Sequence, residues 1–275
     1  MSNQSNEITR ELFATNGYAI VRDVYDSEGM KSLSCHLQKT FETIYQSQLE
    51  SCKNSTPSVL NISREIIENS TEGKTIEQYT TSVGILDFLE TLLGPDIAIY
   101  NHLNLWINDP RDDPIVTTNR TLHQEFWSGM GPNELTVWSP INDVSAENTI
   151  MIVPGSHLYG LLPNRNRQLL PIQDIELPSP VPLVDISPGD AVIFHSFLLH
   201  GTAGRDEQLR IAMSAVYKPT FAQTTVKNHA TGFRALRLSA LTKVRSILAN
   251  DSFTPLRTYG GPISNQPLEY EQDYD

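Results

Sequence analysis

Cysteine is nearly missing from this chain: Cys35 and Cys52 are the only two among 275 residues. Two cysteines make no disulfide framework, which excludes the bridge-stapled secreted class and points to the cytoplasm. Basic residues are also scarce. Twenty Lys and Arg face 32 Asp and Glu, for a net charge of −12. General nucleic-acid binding needs a basic surface and is set aside, although a local basic pocket stays compatible with this balance. No run approaches the roughly 20 apolar residues that cross a bilayer, so no membrane partner is expected. The opening MSNQSNEITREL shows no basic segment followed by an apolar one, so no signal peptide is expected. No internal repeat stands out.

What is present suits a soluble globular protein, with 39% hydrophobic residues to build a core. The length reads as a single domain over 1–275, with a helical part at about 7–95, a β core at about 96–220 and a C-terminal helix and tail at 221–275. The spacing predicts a helix over Ile8–Thr15 and a strand over Tyr18–Val21. A long helix opens at Asp26 or Ser27, with Met30, Leu33, Leu37, Phe41 and Ile44 at helical spacing. Residues 51–75 are polar and ambiguous. Residues 82–94 read as a helix ended by Gly94.

From Asp96 the pattern changes to short strands: 96–109, 134–143, 149–157, 180–186, 189–195 and 209–219. Turn residues separate them, as in Pro154-Gly155-Ser156 and Pro188-Gly189-Asp190. Helices first and strands afterwards predict an α+β chain, mainly β, built as a sandwich or barrel. Residues 232–250 read as a late amphipathic helix, and LEYEQDYD as a surface tail.

Chemistry enters with TLHQEFW, 121–127. On a strand, His123 and Glu125 would share one face and could hold a metal together. PGDAVIFHSFLLHG, 188–201, supplies His195 and His200 as rivals for a third ligand. His123, Glu125 and His200 would form the facial triad that holds Fe(II) with positions left open. Arg210, ten residues after His200, would clamp the far carboxylate of a chelating diacid. His157 reads as a turn residue, and His36 and His229 as surface residues.

Residues 121–217 resemble the phytanoyl-CoA dioxygenase-like (PhyH) group of Fe(II)- and 2-oxoglutarate-dependent oxygenases. The matching pieces are LHQEFW, LTVWSPINDVSAENTIMIVPGSH, PGDAVIFH, LLHGTAG, and Arg210 followed by IAMSAVY. The resemblance implies a double-stranded β-helix (jelly-roll, cupin-like) core with supporting N-terminal and C-terminal helices. It implies iron on His123, Glu125 and His200, and 2-oxoglutarate on Arg210, with Asn104 and Trp106 as further contacts. The implied reaction consumes O2 and 2-oxoglutarate, releases succinate and CO2, and hydroxylates an unactivated C–H bond. Related halogenases lack the carboxylate ligand, so Glu125 favours hydroxylation.

Three departures stand out. Glu125 replaces a commoner Asp. The loop GTAGRDEQL lacks the Asn and Ser often found between the second His and the Arg. Trp106 stands near where relatives often carry a Lys that contacts 2-oxoglutarate. His102, Trp127, Arg165 and Arg167 are candidate substrate-pocket residues, the two arginines in a long insertion at 158–178. The substrate is expected to be a small polar molecule of the secondary-metabolite kind. Two other readings are a jelly-roll binding or scaffold protein without turnover and a metal-dependent hydrolase.

Overall fold

The computed structural model describes residues 3–51, 56–111, 121–166, 168–172, 175–204, 207–222 and 232–243. The order is α1 (Asn3–Asn16), β1 (Tyr18–Val21), α2 (Ser27–Ser51), α3 (Val59–Asn69), α4 (Thr71–Thr80), α5 (Val83–Leu93), β2 (Ile97–Tyr100) and β3 (Asn104–Asn108). Then come β4 (Leu135–Pro140), β5 (Ile150–Ile152), β6 (Asn164–Arg165), β7 (Gln168–Leu169), β8 (Val181–Pro182), β9 (Ala191–His195), β10 (His200–Thr202), β11 (Arg210–Pro219) and β12 (Phe233–Arg237).

The helices form where the apolar spacing and the caps demand them. α2 buries Met30, Leu33, Leu37, Phe41 and Tyr45 along one stripe. Leu37 and Phe41 are fully buried, each worth roughly 1.5–3 kcal/mol relative to exposure. Of the polar stretch 51–75, Ser51 ends α2, residues 59–69 form α3 and residues 71–75 begin α4, while 52–55 lie outside the described residues. Ser58 and Ser70 cap α3 and α4 by accepting from the Asn61 and Gly73 amides. Gly94 ends α5 at φ +81°, a conformation only glycine adopts freely.

The larger sheet runs β1-β9-β4-β11-β2-β12, with β3 pairing the first half of β11. A second sheet runs β10-β5-β8. Their named pairings are antiparallel. Period-two alternation divides β11 between two cores. Ile211, Met213, Ala215 and Tyr217 meet the helices together with Leu37, Phe41, Ile85 and Leu89. On the opposite face, Ala212 joins Trp138, Ile150, Ile152, Val192 and Phe194 between the two sheets. Tyr217 also donates to the Thr80 carbonyl at 2.6 Å and pins β11 to α4. Two facing antiparallel sheets with helices against the outer face of the larger one make a jelly-roll core in an α+β chain.

Several elements differ from expectation. The span 96–109 is two strands, and His102 lies exposed in the break between them rather than on the face shared by Asn104 and Trp106. The strands expected at 149–157 and 180–186 shrink to β5 and β8. Instead of a helix from 232, Phe233–Arg237 forms β12 on the edge of β2. Arg234 pairs with Glu77, and Arg237 with Asp87 and Glu90, so tertiary charge contacts outweigh the local helical pattern. Residues 240–243 make a helical turn, and the remainder of that expected helix, with the tail, lies outside the described residues. No helix among the described residues is long and apolar enough to cross a membrane.

Candidate metal centre

His123 is held by the chain that carries His200. The two residues form an isolated antiparallel bridge, His123 N–H to His200 O at 2.9 Å and His200 N–H to His123 O at 3.0 Å. Such reciprocal pairing sets the two residues directly opposite each other. Their rings come to 4.4 Å between centroids. Close passage of the two segments leaves little room at Gly201, where a Cβ would stand 3.0 Å from the Thr121 carbonyl oxygen. That contact gives the His-Gly pair at 200–201 a physical reason.

Glu125 reaches the same point by a different backbone from the expected strand. It opens a 3-10 turn, Glu125–Ser128. Its Oε1 lies 3.3 Å from His200 Nε2 and 4.0 Å from His123 Nε2. The three ligand atoms lie within 4.8 Å of one another, and both imidazoles are buried. His195, the rival for the third position, faces elsewhere: its ring stands 5.7 Å from His157, and its Nδ1 accepts from the Phe197 amide at 3.1 Å.

The donor set fits a cation. His123 Nδ1 is 2.9 Å from the Thr121 carbonyl and His200 Nδ1 is 3.0 Å from the Leu198 carbonyl. A carbonyl only accepts, so each Nδ1 carries a proton, and in the neutral ring each Nε2 presents a lone pair. Two lone pairs and a carboxylate oxygen then converge, an arrangement that a divalent metal relieves. Backbone carbonyls holding the distal ring nitrogens also fix ring orientation and raise ligand basicity. Phe194 packs on His200 at 4.4 Å, and Phe126, the neighbour of Glu125, packs on Phe197 at 4.8 Å.

Arg210 opens β11, buried, on the inner face of the large sheet with its guanidinium 5.8 Å from the Trp138 ring. Asn104 and Trp106 lie on β3 against β11, and Trp106 Nε1 donates to Ser214 Oγ at 2.7 Å. Trp127 donates to the Leu162 carbonyl at 3.1 Å and packs with Leu162, Leu169 and Leu177. Arg165 is exposed on β6, and Arg167 lies outside the described residues.

Sequence reasoning missed Gln124. Fully buried between the two ligands, it donates to the Gly160 and Phe197 carbonyls and accepts from the Leu162 amide. It binds the insertion at 158–178 to the ligand-bearing segments. Its place between two residues expected to share one face was the available signal, since the middle residue must turn the other way.

The phytanoyl-CoA dioxygenase (PhyH) family model matches residues 13–212. The chain belongs to that family, and it is an enzyme of the oxygenase class whose metal and co-substrate are Fe(II) and 2-oxoglutarate. It is 24% identical over 233 residues to a probable phytanoyl-CoA dioxygenase of Caenorhabditis elegans, covering 76% of this chain and 73% of that one. It is 24% identical to the peroxisomal phytanoyl-CoA dioxygenase of Homo sapiens, covering 72% of this chain. The chain spans 64% of that human relative. Among solved structures, the non-heme monooxygenase ThoJ superposes with a TM-score of 0.61 at 18% identity, covering 84% of each chain. The epimerase SnoN, solved with Fe3+, alpha ketoglutarate and nogalamycin RO, superposes with a TM-score of 0.60 at 16% identity, covering 82% of this chain and 88% of that one. These two likenesses concern the fold.

Proposed function

We propose that this enzyme hydroxylates an unactivated C–H bond of a small, secondary-metabolite-like molecule, with His123, Glu125 and His200 as the iron ligands. The carrying observation is the convergence of the two Nε2 atoms and the Glu125 carboxylate, with both Nδ1 protons already committed to carbonyls. When bound, iron and 2-oxoglutarate supply the oxidising power, with release of succinate and CO2. The chain's own residues hold, orient and shield. Arg210 receives the far carboxylate of 2-oxoglutarate, a role its buried guanidinium suits. Asn104 and Trp106, on the neighbouring strand, line the co-substrate side. Trp127, two residues from Glu125 and bonded to the Leu162 carbonyl of the insertion, is the candidate substrate contact nearest the metal ligands in the chain. A molecule of the kind proposed, nogalamycin RO, is bound in the solved structure of SnoN, whose fold this chain shares. Cytoplasmic residence suits the exposed free thiol of Cys35.

The test is anaerobic addition of Fe(II), then 2-oxoglutarate, to metal-free protein. A weak visible metal-to-ligand charge-transfer band is expected in wild type, absent in His123→Ala and weakened in Arg210→Ala. Iron binding without a band would overturn the 2-oxoglutarate assignment in favour of a metal-dependent hydrolase. Failure to bind metal would favour a jelly-roll scaffold.

A further inference from the structure

The insertion at 158–178 holds a pocket of about 350 Å3, lined by Leu169, Leu170, Pro171, Ile172, Ile175 and Leu177. Each of these side chains is apolar. Pro171 and Ile175 are exposed and the other four are partly exposed, so the pocket opens to solvent. Its volume lies at the lower end of small-molecule sites. A protein partner would need a far broader face, on the order of 800 Å2 per side. Apolar walls left open to water are a standing preference for an apolar guest.

The pocket rests on the supports of the metal centre. Leu169, Ile172 and Leu177 pack, together with Leu122 and Trp127, on Val153, Leu162 and Leu199. Leu122 precedes His123, Leu199 precedes His200, and Trp127 follows Glu125 by two residues. Each candidate ligand thus has a near chain neighbour in this cluster. Leu162 is held on both backbone groups: its N–H donates to Gln124 Oε1 at 3.0 Å, and its carbonyl accepts from Trp127 Nε1 at 3.1 Å. Alternation turns Leu122 and Leu199 away from the face that bears the imidazoles, so the pocket stands beside the metal centre, not within it. The centre is most open on the Glu125 side. Both imidazole side chains are 6% exposed, whereas that of Glu125 is 19% exposed. Glu125 shares its 3-10 turn with the partly exposed Trp127. One turn therefore borders both the accessible side of the metal centre and the cluster under the pocket.

Resting on the oxygenase reading, we propose that this pocket is a substrate subsite for a hydrocarbon arm, the part of the molecule that does not react. The polar remainder crosses the Glu125–Ser128 turn to reach the metal. The substrate is then amphipathic rather than uniformly polar. Among the described residues no charged side chain lines the pocket, so a charged arm would lose its hydration there without gaining a partner. A hydrocarbon arm meets apolar walls, and each methylene it buries contributes to affinity. Leu170 and Ile175 line the pocket without joining the cluster beneath it. They shape the subsite, while Leu169, Ile172 and Leu177 also anchor it.

The full chain, loaded with Zn(II) and 2-oxoglutarate to prevent turnover, is titrated with straight-chain alcohols from 1-butanol to 1-nonanol. NMR follows the Ile172 and Ile175 δ1 methyl groups, assigned by Ile172→Val and Ile175→Val. Both methyls are expected to shift. Affinity is expected to rise about fourfold per added methylene and to level off once the pocket is full. Leu170→Asp is expected to weaken binding of the longer alcohols at least about tenfold while 2-oxoglutarate binding persists. With Mn(II) in place of Zn(II), the hydroxyl end of the bound alcohol is expected to relax faster than its methyl end. Unmoved methyls, affinity independent of chain length, or undiminished binding to Leu170→Asp overturns the subsite. Equal or reversed relaxation along the chain separates the pocket from the metal and overturns the substrate assignment. A dimer that Leu170→Asp abolishes, read by sedimentation, gives the pocket to a second copy of the chain and overturns it likewise. If Leu170→Asp does not fold, Ile175→Asp, at an exposed position, takes its place. Alcohols that shift both methyls while 2-oxoglutarate fails to bind would instead sink the oxygenase reading and leave the apolar site standing.

Discussion

His200 Nε2 stands 3.3 Å from Glu125 Oε1, while Nδ1 of the same ring faces the Leu198 carbonyl at 3.0 Å. In the neutral ring Nε2 then turns a lone pair toward the carboxylate, so either a proton or a metal ion belongs between them. His123 repeats the arrangement through Thr121. A proton on Nε2 bridges one such pair, whereas a divalent cation serves all three groups at once.

Removing any of the three should therefore abolish tight iron binding. Changing groups that merely orient ligands costs about 10–100-fold in metal affinity. His200→Ala and Glu125→Gln should each lose at least that much, read by competition with a chromophoric chelator. Retention of wild-type iron affinity in either variant would remove that residue from the ligand set.

Arg210→Lys should raise the KM for 2-oxoglutarate almost as much as Arg210→Ala. An ammonium cannot reproduce the planar, two-pronged geometry of a guanidinium. Both effects should exceed tenfold, on the order of a charged hydrogen bond. Succinate formation at varied 2-oxoglutarate concentrations gives the number, and an unchanged KM would place the diacid elsewhere.

Gln124→Leu should damage stability and metal binding together. Three backbone groups, on Gly160, Phe197 and Leu162, lose their partner. The expected loss is about 2–4 kcal/mol in urea unfolding, from buried groups left unsatisfied. Iron affinity should fall by about tenfold, because the adjacent ligands lose their support. A variant as stable as wild type would show that the insertion is anchored by other contacts.

Acid should destabilise the fold through His195. Burial, then the nearby His157, push its pKa from 6.5 down to about 4, against a smaller opposing contact with the Pro132 carbonyl. The folded state thus binds fewer protons than the unfolded state between these values. Stability present above pH 6.5 is lost as pH falls toward 4, by at most about 3 kcal/mol. His195→Gln should flatten that part of the curve of unfolding free energy against pH. A slope unaltered by the substitution would assign the acid sensitivity to another group.

The three candidate ligands were legible because metal chemistry restricts residue types and their spacing is short. His-x-Glu and the later His-Gly carry that restriction on their face. The strands β4, β9 and β11 were legible too, since apolar β-branched and aromatic runs between turn residues leave few alternatives. β12 was not. The stretch beginning FRALRLSAL has helical spacing, but the open edge of β2 and the acidic groups on α4 and α5 draw it into a strand.

By itself the sequence determined the kind of chemistry and the alternation that builds two facing sheets. Both are local properties, carried by residue type and by a period of two. Tertiary structure alone decided that His200 rather than His195 meets His123, and that Gln124 ties the insertion to the ligands. Each of these depends on pairing between segments distant in the chain, and register is set by packing across the whole sheet.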